Sequence, residues 1–139
     1  MKNSSETIEI KKYKKRPRVT LSAKRKKKLL AKADMEGQVT IHCMFKSTAY
    51  GDKIRIWKST YLFDRHSSHQ SDLVHFENIT LFPEWKSVPL GKQIQFTLIF
   101  SKLPKQCKVF DLREVIPQEG GFEAYGLRRN KSDVYYVEF

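Results

Sequence analysis

The sequence feature that most constrains the fold is the segment Gln93–Phe100, QIQFTLIF, in which apolar and polar side chains alternate. Successive side chains of an extended strand point to opposite faces. Four large apolar residues therefore share one face: Ile94, Phe96, Leu98 and Phe100. Another sheet or a helix has to cover that face, because leaving it in water is costly. The segment predicts a central strand of a β-rich domain.

Five other segments have the composition of strands and are expected to pair with this one: residues 39–45, 54–63, 73–82, 109–116 and 134–139. Residues 122–127 can add a short strand. Turns rich in Pro and Gly separate these segments. The pattern predicts a mainly β fold over residues 37–139, an antiparallel immunoglobulin-like β-sandwich, with a small β-barrel as the second choice.

In two segments the inward-facing positions are expected to change from even to odd numbers. In residues 54–63 the inward set changes from Ile54 and Ile56 to Tyr61 and Phe63. In residues 73–82 it changes from Val74 and Phe76 to Ile79 and Leu81. Such a change of phase indicates a β-bulge, in the first segment near Trp57. In the connection that precedes the central strand, Trp85 and Val88 are expected to fold back onto the core.

The length of 139 residues suits one domain with a modest core. No run approaches the roughly 20 apolar residues of a membrane helix, and no apolar segment follows Lys2 as in a signal peptide. These features predict a cytoplasmic protein. Cys43 and Cys107 lie in or beside apolar runs and are expected to be small buried groups, since neither belongs to a C-x-x-C motif. We predict neither a cofactor nor a metal.

The charge of the chain is unevenly distributed. Residues 1–32 hold 13 of the 27 Lys and Arg and 2 of the 15 Asp and Glu, a net charge of +11. The other 107 residues hold 14 basic and 13 acidic side chains, a net charge of +1. The chain is therefore expected to divide into a basic arm, residues 1–36, and a nearly neutral domain, residues 37–139.

The arm combines an extended basic stretch with a predicted short helix. Pro17 prevents a helix through residues 8–20, whereas Ser22 can cap a helix over residues 23–33 and Gly37 can end it. Five consecutive cations in that helix repel one another, and phosphates of a nucleic acid would relieve the repulsion. The predicted phosphate contacts are Lys11, Lys12, Lys14, Lys15, Arg16, Arg18, Lys24, Arg25, Lys26, Lys27 and Lys28.

Other ligands are possible for such an arm. It could be a solubilising tail or bind an acidic protein, and in a eukaryote it could be a nuclear-targeting signal. An anionic membrane is less favoured, because Leu29 and Leu30 provide only a narrow apolar stripe. Dense Lys and Arg clusters with interleaved Pro and Tyr are most typical of proteins that associate with DNA or RNA.

Candidate catalytic residues are few. Asp64, His66 and His69 lie close together and His75 follows, but a structural zinc site uses about four ligands, usually with cysteines. No nucleophile elbow, phosphate-binding loop, dinucleotide fingerprint or zinc-protease motif occurs. The sequence therefore favours a protein that is not an enzyme, and a small metal-dependent enzyme using the His66/His69 loop is an alternative.

The aromatic residues exceed the number that one inner face needs: Trp57, Tyr61, Trp85, Tyr125, Tyr135 and Tyr136. They can serve ordinary packing or a protein–protein interface. Tyr135 and Tyr136 point to opposite sides, so one of them is expected to face outward. The last strand, residues 134–139, could pair with a second copy of the chain if it lies at a sheet edge, which makes a homodimer possible.

The run FTLIFSKLPKQCKVFDLREV, followed by GGF and the closing DVYYVEF, resembles a β-sandwich module of small proteins from Bacteroidota-type bacteria. The likeness covers residues 37–139 and rests on packing residues, so it implies a fold and little about activity. The pairing of such a module with a basic arm also resembles pro-CRISPR accessory proteins of type II-C CRISPR effector nucleases. That resemblance implies a dimeric scaffold in antiviral defence that binds the effector and strengthens its hold on DNA.

Together these features predict a non-enzymatic accessory protein in which the domain docks on a protein partner, or on itself, and the arm contacts DNA or RNA phosphates. An effector nuclease is the partner that the resemblance implies. A structural ribonucleoprotein component with an RNA-threading arm is the alternative from another class of function.

Overall fold

A computed structural model describes residues 37–139, and these residues form nine strands and no helix. The strands are β1 (Val39–Lys46), β2 (Asp52–Ile54), β3 (Thr60–Asp64), β4 (Gln70–Glu77), β5 (Lys86–Val88), β6 (Gln93–Phe100), β7 (Val109–Glu114), β8 (Glu123–Arg128) and β9 (Val134–Glu138). The predicted mainly β fold is confirmed for this part of the chain. The predicted arm and its helix lie outside the described residues and stay predictions.

Seven of the strands form one sheet in the order β9-β1-β6-β4-β3-β7-β8, and β2 and β5 form a separate ribbon. The neighbouring strands pair antiparallel, except that β9 runs parallel to β1, with Val134 opposite Thr40. The prediction of an antiparallel sheet is therefore wrong at this pair. Alternation along a strand predicts its faces but not the direction of a partner that lies far away in sequence.

Strand β4 joins the two parts of the large sheet. Residues 70–72 pair with β3, whereas residues 73–77 pair with β6, and the register shifts between Leu73 and His75. Strands that bend at a bulge turn the corner of a curled sheet. The curl brings distant strands face to face, since the rings of Phe110 in β7 and Tyr135 in β9 lie 5.0 Å apart. The seven-stranded sheet is therefore nearly closed.

The core lies inside this curl and follows the predicted alternation of the central strands. In β6, Phe96, Leu98 and Phe100 are buried and Ile94 is half-buried beside them. In β1, the buried residues are Val39, Ile41 and Cys43, and Phe45 packs against the core. β1 pairs with β6 along its whole length, so the two apolar faces form one continuous inner layer.

The predicted change of phase between Ile56 and Tyr61 is wrong. Ile54, Ile56, Thr60, Leu62 and Asp64 are all buried, so even-numbered residues face inward on both sides of exposed Lys58. Tyr61 and Phe63 are half-buried on the outer face, where their rings lie 5.9 Å apart and the Arg113 guanidinium covers Phe63 at 5.4 Å. Residues 55–59 lie between β2 and β3 and belong to neither strand, so this segment is not a single bulged strand.

Two other residues expected to face inward point to solvent. Val74 lies at the register shift of β4 and is 48% exposed, whereas Leu73 takes the inward position. Trp85 is 52% exposed, although Val88 in the same connection is buried as predicted. Phe76 and Leu81 are half-buried against the core, and Ile79 is buried.

A hydrogen-bonded arginine fixes the connection between β8 and β9. The Arg129 guanidinium donates to both carboxylate oxygens of Asp133, through Nε at 2.6 Å and through a terminal nitrogen at 3.1 Å. It also donates to the backbone carbonyls of Pro104 and Cys107 at 2.7 and 3.1 Å. Hydrogen bonds from Arg129 and Tyr135 to Asp133 hold the last strand against the loop that precedes β7.

Candidate nucleic-acid interface

All of the phosphate contacts predicted from the sequence lie outside the described residues: Lys11, Lys12, Lys14, Lys15, Arg16, Arg18, Lys24, Arg25, Lys26, Lys27 and Lys28. Their role stays a prediction. Any cationic surface formed by the described residues is therefore a second one.

The described residues contain such a concentration of charge around the β2–β5 ribbon. Residues 37–139 hold 14 basic and 11 acidic side chains, a net charge of +3. Residues 46–58 and 82–92, which include the ribbon, hold six basic and two acidic side chains, a net charge of +4. The remaining described residues hold eight basic and nine acidic side chains, so the positive charge of the domain is concentrated in the ribbon segments.

The register of the ribbon determines which of these residues face outward. Lys53 pairs with Ser87, and both are exposed, whereas Asp52 pairs with the buried Val88. Side chains directly opposite in a ribbon share a face. Ile54 and Ile56 are buried, so alternation places Arg55 on the outer face with Lys53.

Four side chains on this surface form a cation–aromatic group, the Arg55 cluster, which consists of Arg55, Trp57, Phe82 and Trp85. The guanidinium carbon of Arg55 lies 3.7 Å from the ring centre of Trp85 and 4.5 Å from that of Phe82. The rings of Phe82 and Trp57 lie 4.0 Å apart, and Arg55 donates to the carbonyl of Pro83 at 3.1 Å. A cation between two ring faces is stabilised by the ring quadrupoles, by about 0.5–1 kcal/mol at an exposed site.

A buried carboxylate holds the backbone below the cluster. Glu114 in β7 is 6% exposed and accepts hydrogen bonds from the backbone N–H of Trp57 at 2.8 Å and of Phe122 at 3.0 Å. Burial raises the pKa of Glu114, while these two donors and the positive charge of Arg55 act in the opposite direction. The Thr60 hydroxyl donates to the carbonyl of Trp57 at 2.6 Å. Both polar groups of the Trp57 backbone are therefore fixed to the sheet.

The His66/His69 loop is organised by hydrogen bonds within the loop and to a neighbouring segment. Asp64 accepts from the backbone N–H of His66 at 3.0 Å and from the Ser67 hydroxyl at 2.7 Å, which lowers the pKa of the carboxylate. Nε2 of His69 lies 2.8 Å from the Ser71 hydroxyl and 3.1 Å from the carbonyl of Lys102. Within residues 37–139, no three His, Cys, Asp or Glu side chains are grouped to hold a metal ion.

The two cysteines are free thiols buried as predicted, with exposures of 1% for Cys43 and 3% for Cys107. Burial raises the pKa of the Cys43 thiol to about 12, and burial also raises the pKa of Cys107. A thiol that stays protonated at neutral pH is a poor nucleophile and metal ligand.

The six aromatic residues singled out in the sequence separate into two groups. Tyr135 is buried and Trp57 and Tyr61 are half-buried, whereas Trp85, Tyr125 and Tyr136 are 52%, 55% and 67% exposed. The predicted opposition of Tyr135 and Tyr136 is thereby confirmed. The ring of Tyr136 stacks on half-buried His42, with ring centres 5.1 Å apart.

Strand β9 ends the seven-stranded order, so the last strand meets, among the described strands, the condition set for pairing with a second copy, a position at a sheet edge. Strand β8 forms the other edge.

The sequence pattern indicates that Arg55 faces outward, but it does not indicate the position of Phe82. The order Lys53, Ile54, Arg55, Ile56, Trp57 alternates strictly, so it could have indicated an outward face of cations and one aromatic ring. Phe82 and Trp85 flank Pro83 in an irregular connection where no period applies. Their position against Arg55 depends on tertiary pairing, since Phe82 N–H donates to the carbonyl of Ile56 across the chain.

Comparison with protein-family models, with curated proteins and with solved structures finds no match for this chain. The part of the chain that the structure describes contains no helix with the length and hydropathy that crossing a membrane requires.

Proposed function

We propose that this protein is a non-enzymatic accessory or scaffold protein that associates with nucleic acid through its basic arm, residues 1–36. The observation that carries the proposal is the charge distribution: residues 1–32 have a net charge of +11 in a chain whose total is +12. A polyanion neutralises such a segment with a gain from the release of counterions. Phosphate contacts of this kind position a protein without selecting a base sequence.

The positive surface of the domain supports the same partner. Its ribbon segments carry a net charge of +4, and exposed Lys53 and Lys58 lie beside the Arg55 cluster. Cationic side chains interleaved with exposed rings are typical of surfaces that bind nucleic acid.

The domain is the docking part of the proposal, a β-sandwich of immunoglobulin-like type that holds a protein partner or a second copy of itself. The contact between Phe110 and Tyr135 across the curled sheet supports a two-layered arrangement. The position of β9 at the edge of the sheet, among the described strands, supports strand pairing with another chain, because edge strands are templates for such pairing. A type II-C CRISPR effector nuclease is the partner that follows from the resemblance of the sequence.

Salt-dependent binding of the full chain to duplex DNA and structured RNA tests the arm. A variant with the eleven predicted contacts changed to Gln is expected to lose most of its affinity. For duplex DNA, each lost phosphate contact makes the negative slope of log K against log[salt] shallower by about 0.9. A control variant changes Lys102, Lys105, Lys108 and Lys131, four basic residues of the domain outside the ribbon segments, to Gln, and each substitution is expected to change the affinity less than a substitution in the arm. Equal affinity and slope for wild type and the arm variant would refute the proposal.

Sedimentation equilibrium over a range of protein concentrations tests self-association. A concentration-dependent shift from monomer to dimer is expected if β9 pairs with a second copy. A monomer at all concentrations would leave docking on a different protein as the function of the domain.

A further inference from the structure

We infer that the Arg55 cluster binds the unpaired bases of a single-stranded nucleic acid, with the indole of Trp85 as the stacking surface. This inference rests on the proposed function and adds the form of nucleic acid that the domain recognises.

The indole of Trp85 is both accessible and held in place. It is 52% exposed, and the Arg55 guanidinium lies 3.7 Å from its ring centre. Arg55 is itself fixed by the carbonyl of Pro83 and by the ring of Phe82. A ring that is already ordered loses little conformational freedom when a base stacks on it. Every base has a π-face, so this contact tolerates any base sequence.

The charge around the ring favours a nucleic acid over a protein. Trp, Arg and Phe also occur at protein–protein interfaces, but lysine is depleted there. Lys53 shares the outer face with Arg55, and exposed Lys58 directly follows Trp57 in sequence. These lysines are suited to the phosphates that connect successive stacked bases.

The form of the surface favours a single strand over a duplex. Bases within a duplex are stacked on one another, so a protein ring can stack on a base only where the base is unpaired. A duplex is most often read by a helix or a long two-stranded ribbon in the major groove. The described residues contain no helix, and the β2–β5 ribbon pairs only three residues on each strand.

Fluorescence anisotropy with the full chain tests the inference, using labelled oligo-dT and oligo-rU of about 15 nucleotides and a DNA duplex of the same length. Trp85→Ala is expected to weaken binding of the single strands about tenfold and to change duplex binding less than about twofold. Trp85→Phe, which keeps a ring, should retain most of the affinity. Tyr125→Ala, at an equally exposed ring on β8, is the matched control and should have no effect.

A second readout reports the stacking directly. In Trp57→Phe, Trp85 is the only tryptophan of the chain, and its emission is expected to be quenched when oligo-dT or oligo-rU binds. Quenching by one of the two oligomers alone would identify DNA or RNA as the source of the bases.

The outcomes separate the two proposals. If wild-type protein binds none of the three nucleic acids, the proposed function fails and this inference fails with it. If the wild type binds but Trp85→Ala has unchanged single-strand affinity, only this inference is overturned, and the surface is left to a protein partner. An equal loss for single strands and duplex would also overturn it, because stacking on unpaired bases predicts a selective loss.

Discussion

The aromatic residues of the core and those of the Arg55 cluster differ in their exposure to solvent and in the groups on which they pack. Phe96 is 1% exposed and packs near the rings of Phe122 and Phe139, at 5.5 and 6.5 Å. Trp85 is 52% exposed and packs on a guanidinium. Burial of the first ring contributes to folding, whereas the half-exposed second ring keeps surface available for binding. Burial or exposure, more than residue type, therefore decides whether a ring stabilises the fold or stays accessible to a ligand.

The largest effect on stability is expected for substitution of a ring in the core. Phe96→Ala should lower the free energy of unfolding by about 3–5 kcal/mol, because it removes a fully buried ring and leaves a cavity. Chemical denaturation measures the change. A loss below about 1 kcal/mol would mean that the inner layer does not depend on this ring.

A smaller loss is expected at the carboxylate that connects the core to the cluster. Glu114→Ala should lower the free energy of unfolding by about 2 kcal/mol, because the N–H groups of Trp57 and Phe122 lose their acceptor. Glu119→Ala, at an exposed glutamate in the following turn, is the control and should change it by less than about 0.5 kcal/mol. Equal effects of the two variants would contradict the connecting role of Glu114.

The same carboxylate predicts a pH dependence with a definite sign. The pKa of Glu114 is raised in the folded protein, so the folded state binds its proton more tightly than the unfolded state does. The stabilisation is complete below the ordinary carboxyl pKa and is lost as the pH rises through the raised pKa. The free energy of unfolding of wild type relative to Glu114→Gln should therefore fall with rising pH in that window. Denaturation of both proteins at several pH values measures it, and a rising difference would contradict the assignment.

The smallest effect on stability is expected at the exposed ring. Trp85→Ala should lower the free energy of unfolding by no more than about 1 kcal/mol, since it removes one exposed cation–aromatic contact. Thermal unfolding compares it with Trp85→Phe, which keeps a ring for Arg55. A loss as large as that of Phe96→Ala would show that the cluster belongs to the core, and the contrast between the two groups of rings would disappear.

The alternation of β1 and β6 could be predicted from the sequence because each strand has one buried and one half-polar face. The prediction that Tyr61 and Phe63 face inward is wrong, because it rested on the size of the aromatic side chains. Thr60 and Leu62 are buried instead. Continued alternation from Ile54 would have given the correct face. The bulge that exposes Val74 inserts a residue without changing the composition of the strand.

The candidate site was harder to predict than the fold. The charge of the arm is a local property and is readable from composition, but its eleven contacts stay predictions. The Arg55 cluster brings together residues from segments about 30 positions apart, one of which has no regular period. The parallel pairing of β9 with β1 was missed for a similar reason, because no local pattern encodes the direction of a distant partner.

The pairing of β9 with β1 also determines when the sheet can be completed during synthesis of the chain. The two strands lie about 90 residues apart in sequence. The edge of β1 opposite β6 therefore gains its partner strand only after almost the whole domain has been synthesised. During that interval β1 offers an unpaired backbone to any neighbouring chain. Shielding of this strand during synthesis would therefore protect the nascent domain until β9 has been made.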